Sequence, residues 1–102
     1  MFGLTSETLA LITACLRQFD DIAWVKIYGS RAKGDYQHGS DIDLAFSSPV
    51  DYSADLLEAL DNLPTPYLFD VTHYESLIHE ELKMHINRVG VVFYERERWA
   101  LL

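Results

Sequence analysis

A Gly-Ser pair and an Asp-Ile-Asp triplet, ten residues apart, most constrain the fold of this chain. An apolar run leads into Gly29 and Ser30, and a second mostly apolar run begins at Asp41. Successive side chains of a strand point to opposite faces of its sheet, so Asp41 and Asp43 share one face while Ile42 points to the other. The stretch predicts two strands joined by a charged, glycine-containing connection, with paired carboxylates opening the second strand.

The paired carboxylates predict a magnesium site. Two carboxylates on one face of a strand repel each other unless they reach water or share a divalent cation. Mg²⁺ takes oxygen ligands and commonly sits between one or two carboxylates and the phosphates of a substrate. Asp41 and Asp43 are therefore candidate metal ligands.

The connection between the two strands supplies the features of a phosphate site. Gly29 lets a backbone approach a phosphate closely, and consecutive N–H groups that open a helix bind anions. Ser30 adds a hydroxyl, and Arg31 and Lys33 add cationic donors. Ser40 either steadies the start of the second strand or contacts phosphate. These residues are the candidate nucleotide-binding set.

Hydrophobic periodicity predicts a mixed α/β sheet with flanking helices. The predicted helices cover residues 5–19, 53–63 and 74–89, and the predicted strands cover 22–28, 41–46, 67–72 and 91–94. Thr5 or Ser6 caps the first helix, Ile78 belongs to the apolar stripe of the last, and Gly90 follows it. We expect the whole chain, residues 1–102, to form one domain.

Asp70 is the one carboxylate of the apolar-rich third strand. Burying it there without a cation would cost free energy. Two interpretations stay open: an aspartate of an edge strand that faces water, or a third carboxylate that binds metal or accepts the proton of an acceptor.

Composition limits the class of partner. The formal net charge of -8, from 16 acidic and 8 basic residues, argues against direct nucleic-acid binding, which needs a basic surface. A single cysteine, Cys15, and the lack of an apolar run of about 18 residues or a signal peptide predict a cytoplasmic protein without membrane contact.

His38 is either solvated or catalytic. The terminal residues 99–102 either fold back or contact another chain.

The runs GSRAKG and SDIDLA resemble the minimal nucleotidyltransferases (MNT proteins) of the DNA polymerase β-like superfamily. The segment EELKMHINRVGVVFYER also resembles the C-terminal part of antitoxin-type MNT proteins, which pair with a helical HEPN partner. The resemblance therefore covers nearly the whole chain. It implies the polymerase β-like nucleotidyltransferase fold.

The resemblance also implies roles for the residues. The glycine-serine loop would hold the terminal phosphates of a nucleotide, assisted by Arg31 and Lys33. Many relatives carry arginine where Lys33 stands, and lysine keeps the charge but loses the two-pronged geometry. Asp41 and Asp43 would bind Mg²⁺, while Asp70 would complete a second metal position and deprotonate or orient an acceptor hydroxyl.

The implied reaction transfers a nucleoside monophosphate, AMP from ATP, with two Mg²⁺ ions stabilising the attacking and leaving oxygens. The implied acceptor is a tyrosine of a HEPN-type RNase toxin, which would make this chain the antitoxin of a hetero-oligomer.

Two alternatives to this function remain. The chain could neutralise or scaffold a helical partner by binding alone, or it could modify a small molecule such as an aminoglycoside. Three candidate carboxylates favour catalysis, and the short chain offers little surface for a small acceptor.

Overall fold

The computed structural model describes residues 2–29, 31, 34 and 41–96. Its elements in chain order are α1 (Ser6–Leu16), β1 (Trp24–Tyr28), β2 (Ile42–Ser47), α2 (Ser53–Asp61), β3 (Phe69–His73), a 3₁₀ turn (Tyr74–Ser76), α3 (Glu80–Val89) and β4 (Val91–Glu95). Within these ranges, no helix combines the length and the apolar character needed to cross a membrane.

The four strands form one sheet in the order β3-β2-β1-β4. β1 runs antiparallel to both β2 and β4, whereas β2 and β3 are parallel because α2 carries the chain back between them. The predicted mixed sheet with flanking helices is thereby confirmed.

The two faces of the sheet differ because the strands alternate. Ile42, Leu44 and Phe46 of β2 point to the core face, where they are fully buried against side chains of α1 and α2. Asp43 and Ala45 point to the opposite face, which we call the site face. There, a smaller cluster joins Ala45 to Tyr28 of β1 and Ile86 of α3. One face therefore supplies most of the core, and the other leaves room for polar groups.

The first helix confirms its predicted start. Thr5 is its N-cap, and its hydroxyl accepts a hydrogen bond from the backbone N–H of Thr8 at 3.1 Å. Cys15 is buried in the core, and this burial raises the pKa of its thiol. A buried, protonated thiol packs as a small apolar side chain and is not reactive.

The predicted continuous helix over residues 74–89 is wrong in its first third. After the 3₁₀ turn the backbone is extended at Leu77 and His79, with ψ of 127° and 108°. α3 begins only at Glu80, where acidic side chains favour the positive end of the helix dipole. Ile78 is therefore 85% exposed and does not belong to an apolar stripe. The stripe that does form consists of Leu82, Ile86 and Val89.

Gly90 follows α3 as predicted, but it does not have a left-handed backbone. Its φ and ψ are -69° and 141°. A Cβ at this position would overlap the carbonyl oxygen of Ile86, so close approach of the chain requires glycine here.

Candidate active site

The hairpin of β1 and β2 places the predicted glycine against the predicted carboxylate. Tyr28 and Asp43 are direct partners across the two strands, and Gly29 follows immediately. Gly29 has a φ of +79°, and a Cβ there would overlap Oδ2 of Asp43. Glycine is therefore required twice, for its backbone conformation and for the space that the Asp43 carboxylate occupies.

The parallel pair of β2 and β3 brings in the third predicted carboxylate. Asp43 and Asp70 are direct register partners, so their side chains lie on the same face of adjacent strands. The backbone N–H of Ile42 donates to the carbonyl of Leu68 at 2.9 Å, which fixes this register where the strands begin. Asp41 is exposed directly before β2, on the side of Asp43.

The electrostatics of Asp43 reflect this placement. Burial raises the pKa of the half-buried Asp43 carboxyl, and the charges of Asp70 and Asp41 raise it further. A magnesium site requires neighbouring negative charges, which the bound cation offsets. These residues therefore fit Mg²⁺. Among the described residues, however, no three carboxylate, imidazole or thiol groups already form a metal-binding cluster.

Both interpretations of Asp70 describe part of what the structure shows. β3 is an edge strand, and the Asp70 side chain is exposed. The same side chain lies beside Asp43 in direct register. An exposed carboxylate next to a half-buried one is accessible both to a bound ion and to an approaching acceptor.

Tyr28 forms part of the floor beneath the carboxylates, which the sequence did not indicate. Its side chain is 9% exposed, and its hydroxyl lies 3.3 Å from Oγ1 of Thr72 in a shared hydrogen bond. Burial raises the pKa of this hydroxyl above its usual value; the Thr72 hydrogen bond lowers it, and Asp70 and Asp43 raise it further. Only the strand register reveals this contact, because Tyr28 reads in the sequence as one more apolar residue.

The predicted phosphate side is described only in part. Ser30, Lys33 and Ser40 lie outside the described residues, as does His38, and their roles stay predictions. Arg31 has a helical backbone but is only 3% exposed. The terminal segment, residues 99–102, is likewise outside the described part of the chain.

Comparison with known proteins places the chain among nucleotidyltransferases. The profile of the family described as "Polymerase beta, Nucleotidyltransferase" matches residues 11–98. A Haemophilus influenzae protein named "Probable protein adenylyltransferase MntA" is 33% identical over 99 residues, covering 93% of this chain and 86% of the relative.

Two solved structures share the fold. One, a toxin-antitoxin with AMP-PNP, has a TM-score of 0.66 at 19% identity and covers 88% of this chain and 75% of its own. The other contains a tri-AMPylated Shewanella oneidensis HEPN toxin in complex with MNT antitoxin. Its TM-score is 0.62 at 16% identity, over 96% of this chain and 78% of that chain.

The profile match and the relative confirm the predicted enzyme class, and the relative's name and the shared fold confirm the resemblance to MNT proteins. The chain belongs to the polymerase beta nucleotidyltransferase family.

Proposed function

We propose that this chain transfers AMP from ATP to a hydroxyl of a helical HEPN-type protein partner and acts as the antitoxin of the pair in the cytoplasm. The name of the Haemophilus relative supports protein adenylylation, and the AMP-PNP of one structural neighbour supports a nucleotide substrate. The Shewanella complex, in which the HEPN toxin is AMPylated and bound to an MNT antitoxin, supports both acceptor and partner.

One observation carries the proposal. Asp43 is the direct register partner of Asp70 on β3 and lies against the backbone of Gly29. β2 and β3 thus hold two like-charged carboxylates side by side, and Asp43 lies against the first residue of the loop that would carry the phosphates. A binding-only protein has no need for this arrangement, since like charges directly opposite each other destabilise a sheet.

The three carboxylates Asp41, Asp43 and Asp70 would hold Mg²⁺, as two ions. When bound, the metal supplies positive charge that stabilises the attacking and leaving oxygens of the displacement. Asp70 has the exposed position from which a carboxylate would accept the proton of the acceptor hydroxyl. The acceptor oxygen would bond to the α-phosphorus as the bond to pyrophosphate breaks, with both products leaving the site.

The loop after β1 would hold the nucleotide. Backbone N–H groups at Gly29 and Ser30 would bind the terminal phosphates, with Lys33 and Ser40 as further donors. Arg31 was predicted to assist these donors, but its burial indicates a different role.

The test uses ATP labelled at the α-phosphate, Mg²⁺ and the helical protein that co-purifies with this chain. We expect label on the partner with the wild type and none with Asp43→Asn. Asp55→Asn is the matched control, because Asp55 is an exposed carboxylate on α2, the helix that covers the core face. It should label the partner as the wild type does.

Other outcomes identify the alternatives. An intact complex that takes up no label would show an antitoxin that acts by binding alone. Label in a small-molecule fraction, with none on the partner, would show a small acceptor. Equal labelling by wild type and Asp43→Asn would contradict the assignment of the carboxylates.

A further inference from the structure

Arg31 is a charged residue in an unusual environment. It follows the glycine-serine loop, yet it is only 3% exposed. A guanidinium removed from water must be compensated by hydrogen bonds and by aromatic or charged neighbours. Arg31 has such neighbours in Phe2 and Tyr67, which come from opposite directions along the chain.

The first contact is to the start of the chain. Nη1 of Arg31 donates to the backbone carbonyl of Phe2 at 2.8 Å. Phe2 has a φ of 57° and Gly3 a φ of 71°, so two consecutive residues are left-handed where Phe2 presents its carbonyl. Such a backbone is unfavourable for phenylalanine and persists where contacts hold it. The Phe2 ring lies 6.2 Å from the ring of Phe93 in β4, so this segment is itself anchored to the sheet.

The second contact is to the segment that enters β3. The guanidinium carbon of Arg31 lies 4.9 Å from the centroid of the Tyr67 ring, within the range of a cation–π interaction. Tyr67 packs against the core cluster, and the next residue, Leu68, makes the backbone hydrogen bond to Ile42. Asp70 follows shortly along the same strand.

We propose that Arg31 is a positioning residue that fastens the glycine-serine loop to the segment carrying Asp70, and that it does not donate to phosphate. It joins the loop that would hold the nucleotide to the strand that presents the third carboxylate. The catalytic consequence rests on the proposed function, whereas the fastening itself does not.

The two roles of Arg31 make opposite predictions. A phosphate ligand does not use the Tyr67 ring, so Tyr67→Leu would leave AMP transfer unchanged, whereas Arg31→Lys would raise KM for ATP through the loss of two-pronged phosphate contact. A fastening acts through the planar guanidinium, which lies over the Tyr67 ring while its Nη1 donates to the Phe2 carbonyl. The single ammonium of lysine can also contact a ring, but it lacks this rigid fork of donors. In that case, Tyr67→Leu should reproduce the Arg31→Lys defect, and Tyr67→Phe, which keeps the ring, should behave as the wild type.

The deciding experiment measures amide hydrogen exchange in residues 29–34 and 67–70 of the full chain. We expect Arg31→Lys and Tyr67→Leu each to speed exchange in both segments by about tenfold. The double variant should add little to either single one, because both remove one shared contact. In the labelling assay, each single variant should lower kcat by about 10- to 100-fold, with a much smaller change in KM for ATP.

Two results would overturn the proposal. One is unchanged exchange in both segments for Arg31→Lys. The other is a rise in KM for ATP on Arg31→Lys with no effect of Tyr67→Leu, which would restore the phosphate role. Failure of the proposed function is distinguishable, because a wild type that transfers no label still gives the exchange result that decides the role of Arg31.

Discussion

The two ends of the β2–β3 pair differ in whether their polar side chains have hydrogen-bonding or charged partners. Where the strands begin, Asp43 and Asp70 lie side by side with charges of the same sign. Over the part of the chain that the structure describes, neither forms an ion pair. Where the strands end, a polar network connects the residues to one another. Its members are Ser47, Ser48, His73, Glu75 and Ser76.

The network at the far end is closed. The Ser47 hydroxyl and the backbone N–H of Ser48 both donate to the Glu75 carboxylate. The two ring nitrogens of His73 lie 2.8 Å from the Ser48 carbonyl and 2.6 Å from the Ser76 hydroxyl. Donors and acceptors that satisfy each other stabilise the fold and leave little for a ligand. The end with Asp43 and Asp70 lacks such compensation, and this difference supports the proposed site there.

The largest expected effect is a difference in transfer rate between a variant at one end of the strand pair and a variant at the other. Asp43→Asn should reduce AMP transfer by at least about 100-fold, because it removes charge where the reaction needs it. Glu75→Gln should change the rate per folded molecule little, because its carboxylate serves the closed network. Rates measured with labelled ATP on folded protein check this, and similar losses for both variants would contradict the comparison.

Two of the left-handed glycines, Gly29 and Gly34, sharpen the comparison. Gly29 and Gly34 have φ of +79° and +85°, but nothing lies within 4 Å of a Cβ built on Gly34. Gly34→Ala should lower the free energy of unfolding by about 1–2 kcal/mol through backbone strain alone. Gly29→Ala should cost about 1–3 kcal/mol more, because it also displaces the Asp43 carboxylate. Urea unfolding measures the free energy of unfolding of both variants. Equal losses would mean that the Asp43 carboxylate moves aside without a cost in free energy.

Breaking the closed network should affect stability alone. His73 is 7% exposed, and His73→Leu would leave the Ser48 carbonyl and the Ser76 hydroxyl without their ring partners. We expect a loss of about 1–3 kcal/mol in the free energy of unfolding. His79→Leu, at an exposed histidine, should stay within about 0.5 kcal/mol of the wild type. A His73→Leu variant as stable as His79→Leu would show that the network contributes nothing.

The smallest effect comes from the burial of the Asp43 carboxyl and its repulsion by Asp70 and Asp41. The pKa of Asp43 in the folded protein lies above the ordinary 3.8, so folding binds protons between these two values. Stability therefore falls as pH rises through that window, and the full cost is present above it. Asp43→Asn should gain about 0.5–1 kcal/mol at neutral pH without metal, and none below the ordinary pKa.

Thermal unfolding over a pH series checks this gain. Adding MgCl₂ should stabilise the wild type and leave Asp43→Asn nearly unchanged, because a bound cation offsets the repulsion. A wild type that Mg²⁺ does not stabilise would weaken the assignment of these carboxylates as metal ligands.

Local patterns predicted the elements whose alternation is regular. β2 was predicted to within a residue, because its large apolar side chains all point one way. The direct pairing of Asp43 with Asp70 could not be read from the sequence, since α2 separates the two strands and nothing local fixes their register. The phosphate role predicted for Gly29 stays a prediction. Its close contact with Asp43 could not be read from the sequence, because it depends on the register of β1 with β2.

Tertiary contacts also explain the parts that were missed. The break before α3 follows from the bonds of Glu75 and His73 to the end of β2, which lies far away in sequence. Arg31 looks like a phosphate donor because it follows Gly-Ser, yet its burial depends on Phe2 and Tyr67. Periodicity carries no information about such distant partners.

The alternation of β2 couples the position of Asp43 to the formation of the core. A slip of one residue in its pairing would carry Asp43 to the core face and Leu44 to the site face. Such a chain would lose its carboxylate site and its core together, because one register sets both. A misaligned form would be unstable and open to proteolysis, so it would not persist as an inactive copy. Any chain that folds to a stable core therefore also has Asp43 on the site face.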